Sequence, residues 1–208
     1  TMKPLAAELA ARRWRATAPD LRSSARTLGD FCAAAVRAVP TADVVIGHSG
    51  AGAVLPTVAA RVGARCTVFV DAVLPAETTT YLPSPGFLDF IDTLPLHDGL
   101  LPAWHHWWPS DKVAELLPDE RARRVVLDEI PAVPRSFYDD EIELPPSWWT
   151  QPACYLQLSP AYDDELARAD QHRWPTARRV GGHLDLVVHP AEVADAIVEL
   201  VALALPAG

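Results

Sequence analysis

The chain has 208 residues, 50% of them hydrophobic, which is enough apolar material for one sizeable core and predicts one domain with at most an inserted subdomain. Formal net charge is −9 and no basic cluster occurs, which argues against nucleic acid or an anionic membrane as partner. No run of about eighteen apolar residues reads as a span and no signal-peptide pattern is visible, so a soluble, cytoplasmic protein is expected. Cys32, Cys66 and Cys154 lie far apart without metal-like spacing and read as buried thiols in a reducing compartment.

In chain order, Pro4 can open a first helix with Leu5 and Leu9 on one face. Arg15 to Leu21 reads as a strand and its exit, and a second helix covers Ser24 to Ala38, with Leu28, Phe31 and Ala35 sharing a face. Strands follow at Asp43 to Gly47 and Cys66 to Asp71, separated by a helix ending near Val62. This alternation implies right-handed crossovers and a parallel sheet. From Pro83 to Pro146 the alternation stops. Ten of the twenty prolines fall there, beside five of the seven tryptophans if Trp148 and Trp149 are counted. The stretch 83–146 is expected to be a cap of short helices, the best at Asp111 to Leu117 behind Ser110 as N-cap and at Asp119 to Ile130, inserted into a core of 1–82 and 147–208. The sheet resumes at Ala153 to Leu158, followed by a helix from Asp163 to Gln171, a strand at Ala177 to Val180 and a last helix opened by Pro190.

The centre of this pattern is Val44-Val45-Ile46-Gly47-His48-Ser49-Gly50-Ala51-Gly52-Ala53, a β-branched run ending in a serine among small residues ahead of a helical segment. Such a strand-to-helix turn lifts the serine hydroxyl clear of the sheet and aims the next backbone N–H at a forming oxyanion. Together with Phe69-Val70-Asp71-Ala72-Val73-Leu74-Pro75 and Gly181-Gly182-His183-Leu184, the stretch resembles the α/β-hydrolase superfamily, with Ala51 in place of the second glycine of G-x-S-x-G. The resemblance implies a mostly parallel α/β-hydrolase-like sheet with helices on both faces and an inserted helical cap. It also implies that the family's first strands, whose exit loop supplies the second oxyanion N–H, are missing ahead of the first helix. A gap beside the serine strand is then expected, unless the Arg15 strand slides inward or another chain fills it. That leaves room for a homodimer.

The chemistry this implies needs a base to activate the serine and an acid to fix the base. Ser49 is the expected nucleophile, His183 the base and Gly50 N–H the oxyanion donor. Asp163 is the first choice of acid because it follows the Ala153 strand by a few residues. Asp71, one strand earlier, and Asp164 stay open, and each can equally be a helix-terminal or structural carboxylate. His48 reads as structural support or as a pocket residue. It is carried with Trp104, His105, Trp107 and Trp108 as candidate substrate-binding residues, although the tryptophans can equally pack the cap on the sheet. No third ligand near His105 and His106 suggests zinc. Gly47, Gly50 and Gly52 form a loose dinucleotide pattern without a Tyr-x-x-x-Lys, so neither metal nor cofactor is expected. The expected function is hydrolysis of an ester, thioester or lactone of a hydrophobic small molecule. The alternatives are a cofactor-free lyase or cyclase using the same Ser/His pair for proton transfer, or a non-catalytic binding relative.

Overall fold

A computed structural model describes residues 2–22, 26–179 and 181–205, apart from the side chains of residues 121, 122 and 125. Four parallel strands form the central sheet in the order β1 (Val44–Ser49), β2 (Cys66–Ala72), β7 (Ala153–Gln157), β8 (Thr176–Arg178). Every residue of β2 and β7 is buried, as expected for continuous apolar strands covered on both faces. Between β7 and β8 lies α7 (Asp163–Gln171), and between β1 and β2 lies α3 (Leu55–Val62), preceded by a 3₁₀ turn at Gly50–Val54.

Alternate side chains of β2 feed two cores. Phe69 packs with Tyr155, Trp148 and Trp174 beneath α2 (Leu28–Ala38), α3 and α7. On the other face Val68 and Val70 meet Leu5 and Leu9 of α1 (Lys3–Ala11) and Val193, Ile197 and Leu200 of α9 (Pro190–Ala204). The result is helix on sheet on helix, with each layer burying its apolar face against the strands.

The region 83–146 carries α4 (Pro85–Asp92), α5 (Ser110–Leu116) and α6 (Glu120–Asp128), with two short antiparallel pairs. These are β3 (Thr80–Tyr81) with β6 (Ile142–Glu143), and β4 (Leu100–Leu101) with β5 (Val133–Pro134). Leu117 and Val126 close on Leu184, beside His183, so this region is tied to the sheet at the loop after β8. The short helix α8 (Asp185–Val188) follows that loop.

Some boundaries differ from the sequence reading. Ser110 is the first residue of α5 rather than its cap, which is Pro109. α2 begins at Leu28, where the Thr27 side chain accepts from Asp30 N–H; the expected start at Ser24 and the expected strand end at Val180 lie outside the described residues. The expected strand at Arg15 to Leu21 is extended but unpaired. Trp14, Ala16 and Ala18 are half-buried and Arg15 and Thr17 exposed, which is strand-like alternation. No neighbouring strand is close enough to make a ladder, so β1 is an edge strand of the sheet among the described residues.

Candidate active site

Ser49 ends β1 with φ 57° and ψ −133°, a conformation that a non-glycine residue keeps only where its surroundings enforce it. Two features do so here. The Ser49 carbonyl accepts from Val73 N–H at 3.1 Å, which staples the turn to the exit of β2. Gly52 fits against the same segment so closely that a Cβ there would lie 1.9 Å from the Val73 carbonyl oxygen. The register against β2 shifts between His48 and Ser49, and the hydroxyl is left at the carboxyl end of the sheet with exposed Gly50 next to it.

His183 comes to this point from the loop after β8. Its Nε2 lies 3.0 Å from Ser49 Oγ and its Nδ1 2.7 Å from Asp71 Oδ2. Gly181, two residues before it, has a steric role, because a Cβ there would lie 1.8 Å from Asp185 Oδ2, so the residue leaves room for that carboxylate. A carboxylate that accepts from Nδ1–H fixes the tautomer and leaves the Nε2 lone pair facing the serine hydroxyl.

The acid paired with His183 is Asp71, not Asp163. Asp71 lies one residue before the end of β2 with φ 42° and is fully buried. Its Oδ1 accepts from the N–H groups of Leu158 (2.8 Å) and Ser159 (2.9 Å), and its Oδ2 accepts from Ser159 Oγ (2.7 Å) as well as from His183. Burial alone would raise its pKa, but the bonds from His183, Ser159 and the two backbone groups outweigh it and hold the carboxyl below its ordinary range. Behind it the buried Tyr155 hydroxyl donates to the Ala72 carbonyl at 2.6 Å and accepts from Ala72 N–H at 3.0 Å, fixing the strand end. Asp163 sits on the outer turn of α7, where Oδ1 accepts from Gln157 Nε2 at 2.7 Å and Arg178 Nη2 at 3.0 Å. The turn at Pro160–Tyr162 carries it past His183 toward β8. Asp164 is exposed.

His48 Nε2–H donates to the His183 carbonyl at 2.8 Å, and the two rings lie 4.3 Å apart. Burial and the adjacent His183 push its pKa down to about 3, so the ring is neutral and its donor tautomer is set by that carbonyl. Sequence reasoning passed over Tyr162. Its ring stacks on His183 at 5.5 Å and 11°, and its hydroxyl lies 3.4 Å from Ser49 Oγ. An aromatic residue just past the carboxyl end of a central strand was the available signal.

Ser49 and His183 open onto a cavity of about 1370 Å³ that runs along the free edge of β1 to the extended 14–21 segment. Trp104, Trp107, Phe137 and Tyr138 line its outer part, and Phe31 and Val45 its inner wall. Of the expected pocket residues, His48, Trp104 and Trp107 thus reach the cavity, and the Trp104 ring lies 6.1 Å from that of His183. His105 and Trp108 do not: the His105 ring lies 4.0 Å from that of His106, tilted by 47°, and the exposed Trp108 stacks on Phe90. The short 3₁₀ turn at Trp104–His106 points successive side chains different ways, so the four aromatic residues cannot share one wall.

Comparison with known proteins agrees with this fold. The pyrethroid hydrolase PytH superposes with a TM-score of 0.62 at 15% identity, covering 95% of this chain and 90% of that one. A putative aryl esterase from Burkholderia cenocepacia gives 0.59 at 18% identity, covering 93% and 78%. Tomato methylketone synthase I with bound β-ketoheptanoate gives 0.59 at 10% identity, covering 98% and 93%. At such low identities the TM-scores show a shared fold and no more. No curated protein matches the chain. The sequence matches the model described as the alpha/beta hydrolase family over residues 1–196, and the chain belongs to that family.

Proposed function

We propose that the protein is a serine hydrolase that cleaves an ester, thioester or lactone of a hydrophobic small molecule. The observation that carries this reading is the continuous relay from Asp71 through His183 to Ser49, with separations of 2.7 and 3.0 Å. His183 Nε2 takes the proton of Oγ as Oγ attacks the substrate carbonyl, and Asp71 stabilises the imidazolium that results. The developing oxyanion is met by Gly50 N–H, the donor that follows the nucleophile. His183 then gives its proton to the leaving group, and water repeats the sequence to release the acid. Trp104, Trp107, Phe137 and Tyr138 give the cavity a largely aromatic wall, which suits a hydrophobic acyl or alcohol group. A pyrethroid hydrolase, an aryl esterase and a thioesterase domain of a curacin pathway among the similar folds are in keeping with this reading.

Incubation with a fluorophosphonate followed by intact-mass measurement tests it. A single adduct is expected on the parent and none on Ser49→Ala or His183→Ala, with ester turnover lost by at least about 10³-fold in both. A folded parent that takes no adduct would remove the acyl-enzyme and leave proton-transfer or binding chemistry for the same residues.

A further inference from the structure

Tyr162 stands where no part of the relay requires it. Its hydroxyl is 3.4 Å from Ser49 Oγ, beyond the 2.5–3.0 Å of a full O–H···O bond, and Oγ is its partner among the described residues. The phenol is therefore held beside the nucleophile without being committed to it. Its ring cannot swing freely, because it lies flat against His183 at 5.5 Å and 11°. Desolvation, with a lesser push from Asp71 and Glu165, outweighs the Ser49 bond and raises its pKa to about 12, so it remains a donor at any working pH.

Resting on the hydrolase reading, we propose that Tyr162 is a catalytic residue whose phenol O–H donates to the oxyanion of the tetrahedral intermediate, as the side-chain partner of Gly50 N–H. When Oγ bonds to the carbonyl carbon, the carbonyl π pair moves onto its oxygen, and that oxygen lies two bonds from Oγ. A donor 3.4 Å from Oγ is within reach of that position. No proton leaves the phenol. On collapse the C=O bond re-forms, the bond to the leaving group breaks, and the leaving group takes the proton held by His183. A fixed donor of this kind interacts more strongly with the intermediate than with the neutral carbonyl, which is the condition for raising kcat rather than merely tightening binding.

Tyr162→Phe keeps the stacked ring and removes the hydroxyl alone. With p-nitrophenyl butyrate, kcat should fall by about 10²-fold with KM little changed. The affinity for n-butylboronic acid, which becomes tetrahedral on Oγ, should fall by a comparable factor. Parent-like kcat in the variant, or a lower kcat with unchanged boronate affinity, would overturn the assignment, the second outcome reducing Tyr162 to a support for the serine rotamer. Failure of the hydrolase reading is seen separately, on the parent, as absence of both the fluorophosphonate adduct and ester turnover.

Discussion

Asp71 and Ser49 lie on adjacent strands at the same end of the sheet, yet their surroundings have little in common. Asp71 is fully buried, its two oxygens take four hydrogen bonds, and the strand end beneath it is clasped by Tyr155. Ser49 is half-buried on a strand that is at the sheet edge among the described residues, next to exposed Gly50 and an open cavity, and is held through its backbone by the Val73 N–H and the close fit of Gly52 rather than by a full set of side-chain partners. The difference fits the roles proposed for them. An acid that orients a histidine must keep one position and one charge, and saturation with donors achieves both. A nucleophile must leave room on one side for a carbonyl, so its position has to be fixed from behind, through the chain.

The acid end gives the largest expected effect. Asp71→Asn keeps the size of the side chain but lets its amide face His183 Nδ1, which favours the wrong tautomer. Ester turnover should fall by about 10⁴-fold. Asp163→Asn, at an exposed side chain that accepts from buried Gln157 and exposed Arg178, should leave turnover within a few-fold of the parent. Equal losses in the two variants, measured as kcat/KM on one ester, would refute the pairing of Asp71 with His183.

The nucleophile end is tested through its glycines. Gly52→Ala forces a methyl group to within 1.9 Å of a backbone oxygen, and neither the turn nor the exit of β2 has a flexible side chain to move aside. Urea unfolding should show a loss of about 3 kcal/mol or more. At Gly50 a Cβ meets nothing within 4 Å, so Gly50→Ala should unfold within about 0.5 kcal/mol of the parent. If the two variants were equally stable, the close approach of the turn to Val73 would not be what holds Ser49.

How much of this could be read from the residues differs between the two ends for the same reason. The serine turn is local, so Val44 to Ala53 carries its whole signal: a β-branched run, a serine and glycines where the chain passes close to itself. The four strands of the sheet were also legible, because β2 and β7 are continuous apolar runs. The acid was not local. Asp71 and Asp163 both follow apolar strands, and the choice between them depends on how far the 160–162 turn and the loop carrying His183 travel in space, which no periodicity reports. The Arg15 to Leu21 strand was misread because extended alternation predicts backbone conformation and not the presence of a neighbour to pair with. For Trp104 to Trp108 pocket lining and cap packing stayed open, because composition does not reveal the direction in which a 3₁₀ turn sends each side chain. The one signal for Tyr162 is its place just past the carboxyl end of β7, which marks a position and not a role.

His48 supplies the smallest of the expected effects and joins the two ends. It sits directly before Ser49, and its Nε2–H holds the His183 carbonyl. Burial beside His183 lowers its pKa from the ordinary 6.5 to about 3. Between those values the unfolded chain binds a proton that the folded protein refuses, so the stability tied to this group is complete above about pH 6.5 and drains away as the pH falls toward 3. From pH 7 to pH 5.5 the loss from this single site is about 1 kcal/mol. Asp71, whose pKa is also depressed, works in the same direction, but its contribution is lost only below the ordinary carboxylate range of about 3.9 and does not enter that interval. His48→Gln retains an N–H for the His183 carbonyl and removes the titration. The difference in unfolding free energy between pH 7 and pH 5.5 should therefore shrink by about 1 kcal/mol in the variant. An unchanged difference would mean that His48 is protonated in the folded protein. In that case a cation would lie against His183, and the nucleophile end would carry a charge that its geometry does not accommodate.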